Sequence, residues 1–234
     1  MELPVQQCGQ SPGRTVAEIR AMALAIQANL VVLRVAIERR QGADHAPSGP
    51  TIRSPGIVRA YRETLVNGPE IRGFSDAELP FRLHEAWGRF CVMLWLFEQG
   101  HCADGFDFAE MPTEAEMRCR SALEAKHAEL HAVTWRIRFA QRVRHDRAYV
   151  TSSGFAADRN LAATIPASAF GKPIDHCDDH ELFLAAGEHL GMLATLRWVR
   201  DASSAWDDPR LMEVGEAPFS TDSGGAREGE AAAF

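Results

Sequence analysis

The segment Phe90–Phe97 constrains the fold of this chain more than any other feature. All eight of its residues are apolar, and it continues a helical repeat that includes Leu83 and Trp87. A helix without a polar side must be covered all round, so it belongs at the centre of a helical bundle or in an interface. Eight residues are too few to cross a bilayer. The segment therefore predicts a mainly α protein in which further helices surround it.

Capping motifs show where several helices begin. Thr15-Val-Ala-Glu18 and Ser75-Asp-Ala-Glu78 are capping boxes, in which two side chains satisfy each other's backbone donors. Asp178 or Asp179 is suited to cap a final helix. Together with the apolar spacing, these signals predict a bundle of about five helices, over residues 15–41, 54–67, 75–100, 112–145 and 178–201.

Two features predict how the helices pack. About a dozen residues connect the third and fourth predicted helices, so we expect these two to be antiparallel neighbours. Gly187, Gly191 and Ala194 stand on the last helix, where glycine is unfavourable unless the site needs it. They predict that another backbone approaches this helix closely.

The last third of the chain has a different pattern. Residues 147–153, 161–168 and 210–215 contain β-branched and aromatic residues near glycine or proline, which predicts short strands and a small β appendage. The predicted organisation is a flexible leader (1–14), a helical bundle (15–146), a strand and loop element with a C-terminal helix packed on the bundle (147–219), and a disordered tail (220–234).

Composition excludes several classes of protein. The 25 basic and 32 acidic residues give a net charge of −7, so the protein is not one that binds nucleic acid or anionic membranes over its whole surface. Five scattered cysteines without a CxxC pair argue against a disulfide framework and a zinc ribbon. Motifs for nucleotide hydrolysis, dinucleotide binding and serine hydrolysis are absent from the sequence. With no uncharged apolar run of about 18 residues and no signal-peptide pattern, we expect a cytoplasmic protein without membrane association.

A cluster of arginines follows the fourth predicted helix to its end. It contains Trp135, Arg136, Arg138, Arg142, Arg144 and Arg147. Cations at a helix C-terminus complement its dipole, and a solvated face with internal ion pairs would need no ligand. The leading functional hypothesis is instead a non-catalytic binding or regulatory subunit, which engages a protein or a second copy through these residues and the apolar helix around Trp95. The alternative is a nucleic-acid-associated protein that uses the same arginines.

A second alternative is a metalloenzyme that activates oxygen or water. Glu124, His127 and His131 lie at i, i+3 and i+7, and Glu-x-x-His is a ligand unit of carboxylate-bridged bundle proteins. His84 and Glu85 would join them from the neighbouring helix. A solvated edge with a histidine at the border of the core explains the same spacing. The leading hypothesis needs no cofactor, whereas this alternative needs a metal ion.

The segment Asp175–His180 precedes the last predicted helix. His176, Cys177 and His180 are potential ligands of a transition metal, and a thiolate at a helix N-terminus is a potential nucleophile. The competing interpretation is a polar segment that caps the helix.

Overall fold

The structure is a computed structural model, and it describes residues 13–42, 73–97 and 117–214. These residues form a mainly α fold with six α-helices and one small hairpin. The helices are α1 (Val16–Arg40), α2 (Glu78–Leu96), α3 (Arg120–His145), α4 (Arg147–Val150), α5 (Phe155–Thr164) and α6 (Asp179–Arg200). The strands are β1 (Ser168–Ala169) and β2 (Lys172–Pro173), and 3-10 turns cover Ile174–His176 and Pro209–Met212. The helix predicted at 54–67 lies outside the described residues.

Three of the predicted helix starts are confirmed by reciprocal capping bonds. The backbone N–H of Glu18 donates to the Thr15 hydroxyl at 3.2 Å, and the Thr15 N–H donates to the Glu18 carboxylate at 2.9 Å. Ser75 and Glu78 repeat this exchange before α2. The carboxylate of Asp178 caps α6, and Glu181 completes the box. Each of these starts therefore follows from local hydrogen bonding.

The helix predicted from residue 112 begins at Arg120 instead. Residues 117–119 are not helical, and the Arg118 N–H donates to the Leu96 carbonyl at 2.9 Å.

Helix α6 lies between α2 and α3. Its contact with α2 is the most extensive helix–helix contact in the described part of the chain; α3 packs on α6, and α1 packs on α2. Phe81 meets Phe183 and Gly187, and Gly88 meets Glu188, so α2 and α6 run in the same direction.

Helix α3 is antiparallel to α6. Its Gln141 donates to the Leu182 carbonyl near the start of α6, whereas its His127 lies near Arg197 and Arg200 at the end. The predicted antiparallel relation between α2 and α3 thus holds, but these helices are not the close neighbours that we expected. The prediction rested on the length of the loop between α2 and α3. It did not account for α6, which comes later in the chain and packs between them.

The core draws apolar side chains from all four long helices. Its central cluster includes Ile19 and Ala23 of α1, Leu123 of α3 and Leu193 of α6. Most of Phe90–Phe97 lies in the same cluster, which confirms the bundle-centre interpretation of this segment. By length and composition alone, α1 is long and apolar enough to cross a membrane, with a mean hydropathy of 1.6. Core helices of soluble proteins and signal sequences pass the same test, and 39% of that stretch is buried here.

Glycines permit the close packing of α2 on α6. A Cβ atom built on Gly191 would lie 2.9 Å from the carbonyl carbon of Glu85, and one on Gly88 would lie 2.8 Å from that of Glu188. Carbon atoms normally stay about 3.5–4.0 Å apart. The predicted role of Gly187 and Gly191 is confirmed, and Gly88 is the matching residue on the partner helix.

The strand predictions for the last third of the chain are mostly wrong. Residues 147–150 form α4 because the Asp146 side chain accepts from the Tyr149 N–H at 2.9 Å and caps this turn. Residues 161–164 belong to α5, and 209–212 form a 3-10 turn that begins at Pro209. The β appendage is one hairpin, in which Phe170 and Gly171 have the positive φ angles of a tight two-residue turn.

Candidate functional site

Arg136 belongs to the interior of the protein. Its side chain is only 8% exposed, and its Nη2 donates to both carboxylate oxygens of Asp175 at 2.6 and 2.7 Å. Burial of a guanidinium is tolerated when a carboxylate accompanies it. Arg136 therefore links α3 to the 3-10 turn before α6. It does not belong to the exposed partner-binding cluster in which the sequence placed it.

Arg144 also has a structural role. It donates to the Cys177 carbonyl at 2.6 Å and to the Asp179 carboxylate at 2.9 Å. These contacts fasten the end of α3 to the start of α6. Its guanidinium is consequently much less available to a partner than its position in the sequence indicated.

Arg142 stacks over the ring of Tyr149, which we call its aromatic platform. Its guanidinium carbon is 3.9 Å from the centre of the Tyr149 ring, and its Nε lies 3.4 Å from the Asp146 carboxylate. The Tyr149 hydroxyl donates to Asp158 at 2.6 Å. Cation–π stacking restricts the guanidinium without covering it, because Arg142 remains exposed.

Further aromatic rings pack against Tyr149, the ring on which Arg142 stacks. Phe139 stacks on Trp135 and on Phe155, with ring centroids 5.6 and 6.2 Å apart, and Tyr149 packs edge-on against both phenylalanines. Phe155 and Asp158 are not among the residues predicted from the sequence, because no helix was predicted between residues 154 and 164. The helical spacing of Phe155, Asp158 and Ala162 was the signal that would have found them.

Arg138 and Arg147 are the remaining cations of the cluster. Both are exposed, and within the described ranges neither guanidinium has an ion pair or a hydrogen bond. Arg138 lies one turn before Arg142 and one turn after Trp135, on the same stripe of α3. We call Trp135, Arg138, Arg142 and Arg147 the arginine face.

The five residues of the first metal hypothesis do not meet. Glu124 forms an ion pair with Arg120 at 3.1 Å, while His127 and His131 stack with centroids 6.3 Å apart. His84 faces Glu188, and Glu85 is held by Arg82 and Arg89, because α6 separates α2 from α3. Among the described residues, no three His, Cys, Asp or Glu side chains form a group that could hold a metal ion.

The surroundings of His127 favour an uncharged ring. Burial lowers its pKa most, and the positive charges of Arg200 and Arg197 lower it further, to about 4. The pKa of His131 is lowered for the same two kinds of reason. Neighbouring guanidinium groups also repel metal cations, so this end of α3 does not suit a metal centre.

Cys177 lies in an apolar setting. The residue is 2% exposed and packs with Ile174 and Leu182, and its Sγ faces the carbonyl oxygens of Ala169 and Pro173 at 3.8 and 3.7 Å. Burial raises the pKa of this thiol, which opposes the formation of a thiolate nucleophile. His176 and His180 are exposed, and Asp178 forms the predicted cap.

The apolar helix around Trp95 offers little surface for a partner. Its large apolar neighbours are buried, and Trp95 itself is half-buried beneath the Arg118 guanidinium, 4.8 Å from the ring centre. Arg118 also donates to the Trp95 carbonyl at 2.7 Å. This segment is part of the core, so the arginine face is the candidate that remains for binding.

Comparison of the chain with protein-family models, with curated proteins and with solved structures finds no match. The residues themselves therefore carry the functional argument.

Proposed function

We propose that this protein is a non-catalytic binding subunit that docks an acidic surface of a partner protein through the arginine face. The observation that carries this proposal is the difference among the five clustered arginines. Arg136 is buried and Arg144 is exposed, but both bind other parts of the chain, whereas Arg138 and Arg147 are exposed and form no ion pair in the described parts of the chain. An internal ion-pair network therefore does not account for these two arginines.

The aromatic platform beneath Arg142 favours partner binding, because it lowers the entropic cost of ordering the Arg142 side chain. Ordering a long side chain at an interface costs about 0.5–1.5 kcal/mol. Arg142 is already held against Tyr149, and Tyr149 is fixed by Asp158 and the neighbouring rings. Arginine and tryptophan are also the residue types that most often dominate binding energy at interfaces.

An acidic protein fits this face better than nucleic acid does. The net charge of the chain is −7, which repels a polyanion at long range, whereas a short acidic patch needs only local complementarity. The arginine face has three cations, and two of its neighbours, Asp146 and Asp158, are acidic. Because these carboxylates interrupt the positive surface, it suits a short acidic patch better than an extended polyanion.

Affinity capture from the protein's own host tests the proposal. The bait is the wild-type chain, and the variant carries Arg138→Glu and Arg147→Glu. A control carries Arg34→Glu and Arg39→Glu on the exposed side of α1, so that both variants change the net charge by the same amount. Because Arg34 pairs with Glu38 at 3.1 Å, this control also loses one exposed ion pair. Quantitative mass spectrometry compares the proteins that each bait retains after nuclease treatment.

We expect one protein that the wild type and the control retain and that the face variant loses by about tenfold or more, as loss of charged interface contacts predicts. Melting temperatures should stay close together, because exposed substitutions usually change stability by about 0.5 kcal/mol or less. Equal retention by the face variant would contradict the proposal. Binding that nuclease removes and that falls steeply with salt would establish the nucleic-acid alternative instead.

A further inference from the structure

A pocket of about 550 Å³ opens at the other end of α3. It lies between the first turns of α3, the last turn of α6 and the segment that follows α6. Four arginines and two aspartates supply its charged lining: Arg120, Arg197, Arg200, Arg210, Asp201 and Asp208. Ligand pockets commonly enclose about 300–1,000 Å³, so the volume suits a small molecule.

Both carboxylates of the pocket are already engaged by the protein. Asp201 accepts from the backbone N–H of Ser203 at 2.9 Å and from the hydroxyls of Ser203 and Ser204, and these bonds hold its pKa at about 2. Asp208 accepts from the Arg210 guanidinium through two nitrogens, at 3.0 and 2.6 Å. Asp208 thus neutralises Arg210, and neither aspartate pairs with an arginine of α6.

Neither Arg197 nor Arg200 forms an ion pair with a carboxylate in the described residues, although the Glu213 carboxylate interacts electrostatically with Arg197. Arg197 is half-buried and donates to the backbone carbonyls of Leu211 and Glu213, which fixes its position. Arg200 is exposed, and its side chain makes no hydrogen bond or ion pair within the ranges that the structure describes. The guanidinium of Arg197 is therefore preorganised, and the guanidinium of Arg200 is free to bind a ligand.

Two histidines lie beside the pocket. His127 lies one turn beyond Leu123, which lines the pocket, and its neighbours include Arg197, Arg200 and His131. Burial lowers the pKa of His127 most, and the two guanidinium groups lower it further. The ring of His127 is therefore close enough to sense a ligand that binds to Arg197 and Arg200.

We propose that this pocket binds a small phosphate-bearing anion. Guanidinium groups match the geometry of phosphate oxygens through paired N–H donors, and such charge-assisted bonds are stronger than neutral ones. None of the lining residues in the described part of the chain is aromatic, so a nucleobase would find no ring to stack on. The ligand class is thus a compact phosphorylated metabolite or a polyphosphate, rather than a nucleotide.

Titration with pyrophosphate at constant ionic strength tests this assignment. The measurements are isothermal calorimetry and the NMR signals of the His127 and His131 rings. Arg200→Gln removes the unpaired cation, and Arg39→Gln removes an exposed cation at the end of α1 as the matched control. Neither side chain makes a hydrogen bond or an ion pair in the described residues, so both variants should have melting temperatures close to that of the wild type.

We expect saturable binding to the wild type and to Arg39→Gln, with shifts of both imidazole signals. Arg200→Gln should weaken binding by about tenfold or more, as the loss of a charge-assisted bond predicts. Absence of binding up to about 10 mM, beyond the weak end of specific affinities, would overturn the assignment. Equal affinity of Arg200→Gln would overturn it too. The residues are distinct from the arginine face, so either proposal can fail without the other.

Discussion

Replacing Gly88 with alanine is expected to destabilise the protein, although alanine is the better helix former. The new Cβ atom would lie 2.8 Å from the carbonyl carbon of Glu188 and closer still to its oxygen. Because carbon atoms keep about 3.5–4.0 Å apart, α2 and α6 would have to separate by about 0.7 Å or more. Backbone atoms of a helix cannot rotate away as the end of a side chain can.

The size of the effect follows from two opposing contributions. Overpacking in a core costs about 1–3 kcal/mol, and a clash with backbone belongs at the upper end of that range. Alanine regains about 1 kcal/mol of helix propensity. The net loss should be about 2 kcal/mol in the free energy of unfolding, which lowers Tm by about 4–8 °C in a protein of this size.

Urea unfolding and calorimetry of three variants measure this effect. Gly191→Ala should behave like Gly88→Ala, since its Cβ would lie 2.9 Å from the carbonyl carbon of Glu85. Gly73→Ala is the control, because nothing lies within 4 Å of its Cβ position. If Gly88→Ala were as stable as the wild type or as Gly73→Ala, the close approach of α2 and α6 would be refuted.

Two further predictions concern titratable groups. We expect Cys177 to react with iodoacetamide about tenfold or more slowly in the native than in the unfolded protein, because burial removes access and raises its pKa; equal rates would show that it is exposed. His127 has a folded pKa of about 4 and an unfolded pKa near 6.5, so its stabilising contribution is complete above pH 6.5 and is lost as the pH falls towards 4. With allowance for solvent screening of a half-exposed ring, His127→Gln should reduce the loss of stability between pH 7 and pH 4 by about 1–2 kcal/mol. Urea unfolding at both pH values would contradict this if the two proteins lost stability equally.

Local hydrogen bonding and helical spacing made much of the fold predictable. The Thr15, Ser75 and Asp178 caps involve residues three apart in the chain, so the sequence contains both partners. The glycines of α6 were informative because glycine is costly in a helix unless packing requires it. Gly88 was harder to find, since its partner, Glu188, lies a hundred residues away.

The strand predictions failed because tertiary contacts override β propensity. Tyr149 and Val150 suit a strand, but Tyr149 is buried against Phe139 and Phe155, and Asp146 caps the turn that places it there. A short polar cap and three rings thus decided the conformation. The sequence identifies Asp146 as a cap only if α4, the short helix that follows it, is predicted as well.

The candidate site was predictable as a cluster but not as a surface. Which arginines remain without a partner in the fold depends on distant residues: Asp175 pairs with Arg136 across 39 positions, and the Cys177 carbonyl binds Arg144 across 33. The five residues of the metal hypothesis lie apart for a related reason, because α6 enters between the helices that were expected to share them. Contacts with residues far away in the chain thus decide which arginines stabilise the fold and which can bind a partner.

A native mass spectrum of the protein isolated gently from its own host tests the central claim most directly, because it reports bound protein, nucleic acid and metal together. We predict a complex of this chain with another protein, present in the wild type and absent from the Arg138→Glu, Arg147→Glu variant. A bare chain, a chain that carries nucleic acid, or a protein complex that survives the double charge reversal would contradict the claim that the arginine face binds a protein partner.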